Sequence, residues 1–558
     1  MEDPAGTSPQ TDDETTKRPN RRRFLGMAGA GAGAAVVAAT PGVAGALERR
    51  RDRDGGGRDA RGPRNGGGNN NEGAGQGLQT GNQNDGPDRF SRLFDRNDLG
   101  RGENRDMREA LIELSRPGGI LDANDPLEVG PIRLITEPEL SPNNVDNPNH
   151  PAGTTFYGQF LDHDLTRDVG SRLGRPTPLR RSTNLRTARF DLDSVYGGGP
   201  DESPDLYEDD DLHFRVESGG LFEDLPRDED NQAIIADPRN DENLMISGLQ
   251  VAFLKFHNAV IDRVLAGSLD GTAAFAEANR LVRWHHQWMT LHEYLPLVVG
   301  QEMVDDILAN GRRHFTDDRP RIPVEFQTSA YRFGHSLVRP SYRANLAGDN
   351  GEPFFGFVFD PETFGDDDPD DFTGGHRAPR RFIGWQTFFD FEDGEVKNAK
   401  RIDTKISTPL FRLPASAIGA DRGEDIGPTS LATRNLLRHL TWEIPTGQEV
   451  AEEMNADRLS NADLSLFDGF GADLADETPL WLYVLQEAAV MHDGLHLGPV
   501  GGRIVAEVFI GLLQMDTESF LSTQPDWRPT LPTRSGDDDF RMVDMLTLAG
   551  VDPDSRGQ

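Results

Sequence analysis

Residues 249–265 are apolar on nearly every face of a helix, a pattern typical of a helix that other elements enclose on all sides. A second helical pattern follows over residues 275–308, and its proline predicts a break near Pro296. Strand-like alternation is rare in the rest of the chain. The sequence therefore predicts an all-α, mainly helical fold, in which about 470 residues can form one large core. The apolar positions of the first helix are Leu249, Val251, Phe253, Leu254, Phe256, Val260, Ile261 and Val264.

Acidic residues outnumber basic residues by 94 to 58, which gives the chain a formal net charge of −36. This charge argues against nucleic acid or an anionic membrane surface as the main partner. Lys contributes only five of the basic residues. An acidic, Lys-poor composition is typical of a protein that works in concentrated salt, where ions screen its self-repulsion, so a halophilic habitat is expected.

The chain contains no cysteine. This absence excludes disulfides, thiolate catalysis, zinc fingers, Fe–S clusters and c-type haem attachment. Any bound metal or haem iron must therefore be held by His, carboxylate or carbonyl groups.

Residues 1–46 resemble a twin-arginine export signal, with Arg21 and Arg22 as the pair and an uncharged Ala/Gly/Val-rich stretch after them. The stretch is too short and too rich in glycine to span a membrane well, so cleavage is favoured over a membrane anchor. We therefore expect an exported, extracellular or cell-surface protein with no stable membrane span after signal removal. Residues 47–87 are nearly devoid of apolar side chains and are predicted to be a disordered linker. The remaining residues, 88–558, are predicted to form one folded domain.

A polar stripe interrupts an apolar helical pattern at residues 157–165. Gln159, Asp162 and His163 fall at i, i+3 and i+4, which places them on one helical face. Such a stripe in a core costs free energy unless it faces a polar cavity or a cofactor. The alternative is a hydrogen-bonded core histidine.

Thr187, Arg189, Asp191 and Asp193 are spaced by two, so side-chain or carbonyl oxygens recur at every second position. In an extended loop, alternate residues place their oxygens on one side, as a calcium ion requires. Asp-x-Asp is common in acidic proteins, so the pattern alone is weak. The acidic runs at 209–211, 366–371 and 537–539 are interpreted as solvated loops.

Three further short segments combine polar and apolar residues. Arg239 and Glu242 lie three apart, just before the apolar helix. Gly334 precedes His335 in a segment with apolar neighbours, where a flat ligand could approach closely. Asn435 and Arg438 have helix-like spacing.

Together these five segments resemble the animal-type haem peroxidases, the family of myeloperoxidase, lactoperoxidase and peroxinectin. They occur in the family's order with similar separations, and the resemblance covers about residues 88–550. It implies that residues 88–558 form a haem peroxidase catalytic domain.

The resemblance implies that His335 is the axial ligand of a haem b iron. Asn435 is expected to accept a hydrogen bond from the other ring nitrogen of His335, which strengthens the ligand. Arg332 and Arg438 are further haem-binding residues on the same basis. Family members also attach haem through two ester bonds, and Asp162 and Glu242 occupy those positions here.

The resemblance further implies that His163 is the distal base, which moves a proton between the oxygens of hydrogen peroxide. Arg239 would stabilise the developing charge, and Gln159 would line the distal cavity. A ferryl haem intermediate would then oxidise a halide, thiocyanate or phenolic donor. Myeloperoxidase forms a third haem link through a methionine, but Asn243 stands at that position, so a sulfonium link is not expected.

A calcium ion is the second cofactor that the resemblance implies. Its ligands would be Asp164, Thr187, the carbonyl of Arg189, Asp191 and Asp193. This ion would tie the distal helix to the loop and hold His163 in place.

Two other readings remain open. Fatty-acid dioxygenases of the same fold use a tyrosine three residues before the proximal histidine, but Arg332 stands there and Tyr331 is one place too early. A peroxinectin-like adhesion protein is the other reading, although no adhesion module is evident.

Overall fold

The computed structural model describes residues 89–94, 105–218, 222–348, 350–360, 370–375, 380–418, 427–470 and 472–551. These residues all belong to one unit, Thr80–Gln558. The predicted signal at 1–46 and the predicted linker at 47–87 lie outside the described residues, so both stay predictions.

Helices dominate the described part of the chain, which confirms the predicted mainly helical fold. They are α1 (Arg105–Leu114), α2 (Pro131–Thr136), α3 (Ala152–Leu165), α4 (Asp193–Tyr196), α5 (Leu244–Leu265), α6 (Gly271–Met289), α7 (Leu295–Val299), α8 (Gln301–Asn310), α9 (Val324–Thr328), α10 (Gly334–Leu337), α11 (Leu431–Trp442), α12 (Gly447–Glu453), α13 (Asn461–Leu464), α14 (Leu480–His492), α15 (Pro499–Met515), α16 (Phe520–Thr523) and α17 (Met542–Leu548).

The strands in the described residues are short and form three antiparallel pairs. They are β1 (Asp146–Pro151) with β6 (Asn398–Lys400), β2 (Glu217–Ser218) with β3 (Glu223–Asp224), and β4 (Ser341–Arg343) with β5 (Phe355–Phe357).

Helix α5 contains the apolar pattern and begins five residues before it. The Asn243 side chain accepts a hydrogen bond from the Ile246 N–H, which caps the helix at Leu244. The helix packs against α3, α6 and α17. It is long and apolar enough to cross a membrane, but 78% of its apolar window is buried inside the protein. Burial on all sides explains why its apolar residues do not keep to one face.

The break predicted near Pro296 lies four residues further along the chain. Residues 271–299 stay helical, and the interruption comes at Gly300, whose φ of 83° lies in the left-handed region. Pro296 occupies the first turn of α7, where its missing N–H is tolerated, and a π-helical turn, Thr290–Tyr294, precedes it.

Helix α3 is held from two sides and carries the predicted polar stripe. Phe160 stacks on Phe253 of α5 with ring centroids 4.7 Å apart. On the other side a Cβ at Gly158 would collide with the Tyr294 hydroxyl, so glycine is required for this close approach. The helix therefore presents Gln159, Asp162 and His163 from a fixed backbone.

Candidate active site

One cavity of about 270 Å³ brings together residues from α3, α10, α11 and the turn before α5. Gln159, Asp162 and His163 line it from α3, and Arg239 and Glu242 line it from the turn. His335, Arg332, Arg434 and Arg438 line it from the α10 and α11 side. The rest of the wall is largely apolar and includes Phe156, Leu337, Val338, Val358, Phe359, Leu410, Leu413, Ile418 and Leu431.

His335 lies on α10, directly after a 3-10 turn that spans Ala330–Phe333. Its Nδ1 is 2.7 Å from the Asn435 Nδ2, and no described residue hydrogen-bonds its Nε2. Burial, followed by the charges of Arg332 and Arg438, lowers the pKa of His335 to about 3. The imidazole is therefore neutral at physiological pH, as a metal ligand requires.

The Asn435 amide determines which ring nitrogen of His335 carries the proton. Its Oδ1 is buried without a hydrogen-bond partner. A 180° rotation of the amide places this oxygen against Nδ1, where it accepts the Nδ1–H, and leaves the Nε2 lone pair toward the cavity. This rotated arrangement is the one that the predicted axial role requires.

Three arginines make the proximal side of the cavity strongly positive. Burial and the neighbouring Arg438 lower the pKa of Arg332 to about 9. Arg438 lies 4.0 Å from the Asp168 carboxylate, and its Nε is buried without a hydrogen-bond partner. Arg434 also lines the cavity. A ligand with carboxylates would relieve this crowding of positive charge.

His163 faces the same cavity from α3. Its Nδ1 lies 2.8 Å from the Asn240 Oδ1, within hydrogen-bond distance, and its Nε2 is 3.9 Å from the Glu242 Oε1. Burial, followed by the positive charge of Arg239, lowers the pKa of His163 to about 4. The ring is therefore neutral at physiological pH, so one of its two nitrogens is unprotonated and can accept a proton.

Arg239 forms an ion pair with Asp237, and the charge of Glu242 also acts on its guanidinium. The Arg239 Nε donates to Asp237 Oδ1 at 3.0 Å, and Nη2 donates to Oδ2 at 2.8 Å. Nη2 also donates to the His163 carbonyl at 3.0 Å. Burial acts to raise the pKa of Asp237, but Arg239 holds that pKa well below its usual range. The ion pair fixes the guanidinium beside the distal helix.

Polar side chains also line the distal wall next to His163. The Gln159 amide donates a hydrogen bond to the Glu242 carboxylate, and the Asn243 amide donates to Gln159 Oε1 at 3.4 Å. The Asp162 Oδ1 accepts a hydrogen bond of 3.0 Å from Thr166. The two carboxylates predicted to form ester bonds thus both border the cavity.

The structure brings together the three aspartates of the predicted calcium site, one from α3 and two from the loop at 187–193. Asp164, Asp191 and Asp193 each offer a carboxylate oxygen, and these oxygens lie within 4.8 Å of one another. The Thr187 hydroxyl is 2.8 Å from both Asp191 oxygens. Burial and the charge of Asp191 raise the pKa of Asp193 to about 7, because the carboxylates crowd one another.

The end of this loop is not extended as the alternation indicates, because α4 begins at Asp193. Leu192 adopts a left-handed conformation, with φ of 59°, and its N–H donates to the Asp164 carboxylate at 3.1 Å. The Arg189 side chain extends toward Asp516, with Nε 4.0 Å from Oδ1. The carbonyl of Arg189 is the atom that the predicted calcium site would use.

Sequence reasoning missed four residues around the cavity: Asp237, Asn240, Gln250 and Arg434. Asp237 is detectable as a helix-capping residue before a proline, because its carboxylate accepts from the Arg239 N–H. Nothing in the sequence pattern separates the other three from ordinary polar residues.

The family model for animal haem peroxidases matches residues 167–353 of this chain. That segment contains the loop at 187–193, Arg239, Glu242 and His335. The Peroxidasin homolog pxn-2 of Caenorhabditis elegans is 27% identical over 180 residues. The matched region covers 28% of this chain and 14% of that relative, so the chain spans only a small part of it.

Solved structures share the fold at low sequence identity. Peroxidase A from Dictyostelium discoideum superposes with a TM-score of 0.55 at 15% identity, covering 83% of this chain and 93% of the other. The fatty acid alpha-dioxygenase of Oryza sativa gives 0.50 at 14% identity, covering 77% and 76%. The family model thus matches about a third of this chain, and the fold, at this low identity, is shared by peroxidases and dioxygenases.

Proposed function

We propose that this protein is a haem peroxidase that reduces hydrogen peroxide and oxidises a small donor. The observation that supports this best is the pairing of His163 and His335 across one cavity, each with its Nδ1 bound to an asparagine side chain. A histidine in an ordinary core has no need of a second histidine, an arginine and two carboxylates around a shared cavity.

The residues present fit a haem group. His335 would hold the iron through Nε2, and the orphaned Arg438 Nε with Arg332 suits the anionic propionates. The apolar wall suits the porphyrin face, and Asp162 and Glu242 border the cavity where ester bonds could form. A bound haem would supply redox-active iron that accepts electrons from the donor and passes them to peroxide.

The protein's own groups would manage the protons and charge of this reaction. His163 would take a proton at Nε2 from one peroxide oxygen and return it to the departing oxygen. The Arg239 guanidinium, held by Asp237, would stabilise the negative charge on that departing oxygen. Gln159 and Glu242, joined by a hydrogen bond, would restrict the distal space to small molecules.

The proposal extends to four features that the sequence predicts: calcium, export, function in high salt and the donors. Calcium would occupy the cluster of Asp164, Asp191 and Asp193, which is supported by the close approach of their carboxylates. The twin arginines Arg21 and Arg22 support export, and the acidic, Lys-poor composition supports function in high salt. Halide, thiocyanate and phenols are the proposed donors.

A fatty-acid dioxygenase is the alternative favoured by the shared fold. Against it, Arg332 stands at the position of the radical tyrosine. The neighbouring Tyr331 donates its hydroxyl hydrogen bond to the Gly158 carbonyl at 2.9 Å, and an amide carbonyl is too weak a base to take the proton that a tyrosine loses when it is oxidised to a radical.

The purified, haem-loaded chain tests these two functions in one experiment. Hydrogen peroxide is added with bromide, chloride, iodide, thiocyanate or a phenol at high salt, and a saturated fatty acid is supplied with oxygen in parallel. Donor oxidation without oxygen consumption is the expected result. Oxygen consumption with the fatty acid and no donor oxidation would support the dioxygenase.

Calcium removal is expected to lower stability and activity together. Chelation, or Asp191→Asn with Asp193→Asn, should lower the free energy of unfolding by about 3 kcal/mol when calcium exceeds its Kd ~100-fold. The peroxidase rate should fall as well, because Asp164 is the residue after His163. Calorimetry and donor oxidation measure the two effects, and bound calcium is measured by atomic emission.

A matched control removes the same number of charges from an exposed acidic loop. Asp209→Asn with Asp211→Asn should leave calcium content, stability and rate unchanged, because both residues are exposed. If Asp191→Asn with Asp193→Asn keeps one bound calcium and full activity, the loop is only another acidic surface segment.

A further inference from the structure

A chain of two buried amides lies behind the distal histidine. Asn240 is in the turn before α5, and Gln250 lies in the second turn of that helix; both side chains are fully buried. The Asn240 Oδ1 lies 2.8 Å from the His163 Nδ1, and the Asn240 Nδ2 donates to the Gln250 Oε1 at 2.8 Å. The Asn240 oxygen therefore faces His163, and the Asn240 NH₂ faces the Gln250 oxygen.

The orientation of the Asn240 amide determines which ring nitrogen of His163 carries the proton. In the structure the Asn240 Nδ2 donates to the Gln250 Oε1, so the Asn240 NH₂ faces α5 and its oxygen faces His163. An oxygen at this position accepts only from a protonated Nδ1. The neutral ring then has its lone pair on Nε2, which is the nitrogen that can accept a proton in the cavity.

The Glu242 carboxylate favours the opposite tautomer of His163, in which the proton is on Nε2. The Glu242 Oε1 lies 3.9 Å from His163 Nε2, and a carboxylate this close favours a proton on Nε2. Without Asn240 the proton would move to that side, and the ring would no longer accept a proton where peroxide binds. The amide at Nδ1 is closer, at 2.8 Å, and offsets this pull.

We propose that Asn240, oriented by Gln250, is a positioning residue that keeps the His163 proton on Nδ1 and so leaves Nε2 as the base. This inference deepens the proposed function, because it concerns the base of the same site. Asn240 acts through His163 and needs no contact with peroxide.

The tautomer can be read directly by NMR in the full chain. The protein is labelled with ¹⁵N-histidine and supplied with zinc protoporphyrin IX, a diamagnetic probe, at neutral pH. His163→Gln identifies the His163 signals by their loss. A wild-type ring protonated at Nδ1 is expected, and a ring protonated mainly at Nε2 would overturn the proposal.

Variants of Asn240 separate the tautomer effect from a loss of packing. Asn240→Leu removes the acceptor and should move the proton to Nε2. Asn240→Asp keeps an oxygen at Nδ1, and the Gln250 Nε2, which is buried without a partner, can turn to donate to it. We expect Asn240→Asp to retain the Nδ1 proton. An Asn240→Leu ring that stays protonated at Nδ1 would contradict the assignment.

Two further variants test the role of Gln250 and control for a general loosening of the fold. Gln250→Leu frees the Asn240 amide to rotate and should give a mixture of both tautomers; a single unchanged tautomer would overturn the role of Gln250. Asn147→Leu alters another fully buried amide, which binds the Gly494 and Leu495 carbonyls outside the cavity. It should leave His163 unchanged, and an equal shift there would show that Asn240→Leu acts by general loosening.

The peroxidase kinetics of the Asn240 variants should change in parallel with the tautomer of His163. In the haem-loaded chain, kcat/KM for peroxide should fall about 10-fold or more in Asn240→Leu and be largely restored in Asn240→Asp. If the wild type binds no haem or does not turn over peroxide, the proposed function fails, whereas the NMR result still decides the tautomer.

Discussion

His335→Ala should abolish haem binding or weaken it by at least ~100-fold, because even residues behind a metal ligand affect affinity by 10–100-fold. The chain has no cysteine to replace the lost ligand. His163 is the other histidine among the described cavity residues, and its ring is already held by Asn240. Haem content and the haem optical spectrum of the purified variant measure the effect.

Loss of the ligand must be separated from loss of the fold. Added imidazole should enter the space left by the His335 ring and restore haem binding, which a misfolded chain could not do. His257→Gln is a matched control, because His257 is equally neutral and buried but is bound to Tyr196 and the Leu212 carbonyl. Tightly held haem with an unchanged spectrum in His335→Ala would refute the axial assignment.

His163→Ala should keep haem but slow its reaction with peroxide by about 10²-fold or more, the usual contribution of a positioned acid–base group. The physical reason is that no other described side chain on the distal wall has an imidazole nitrogen that can take and return a proton. Stopped-flow mixing of the haem-loaded variant with peroxide measures the rate.

The comparison with His335→Ala makes this result specific. His335→Ala should lose haem, whereas His163→Ala should retain haem and lose only the fast reaction with peroxide. A His163→Ala rate equal to the wild-type rate would show that the histidine is only structural and is not the catalytic base of the proposed peroxidase.

Much of the site was predictable because its residues are close in sequence. Gln159, Asp162 and His163 share one turn of helix, and the helical period alone places them on one face. Asn435 and Arg438 share a helical face in the same way. Local periodicity also predicted the mainly helical fold, since burial on all sides leaves a recognisable apolar run in α5.

The roles of these residues came from the order of five motifs, which resembles a known family. No local pattern could show that His163 and His335 line one cavity, because 172 positions separate them in the chain. The same holds for Asp164 and the loop at 191–193, whose carboxylates meet only when the loop packs against α3.

Tertiary structure alone decided which partner each polar group has. Arg239 pairs with Asp237, and Asn240 connects His163 to Gln250 on another helix. The helical runs were visible in the sequence because backbone periodicity is a local property. Hydrogen-bond partners were not, because the folded chain brings donors and acceptors together from distant segments, and burial then obliges them to pair.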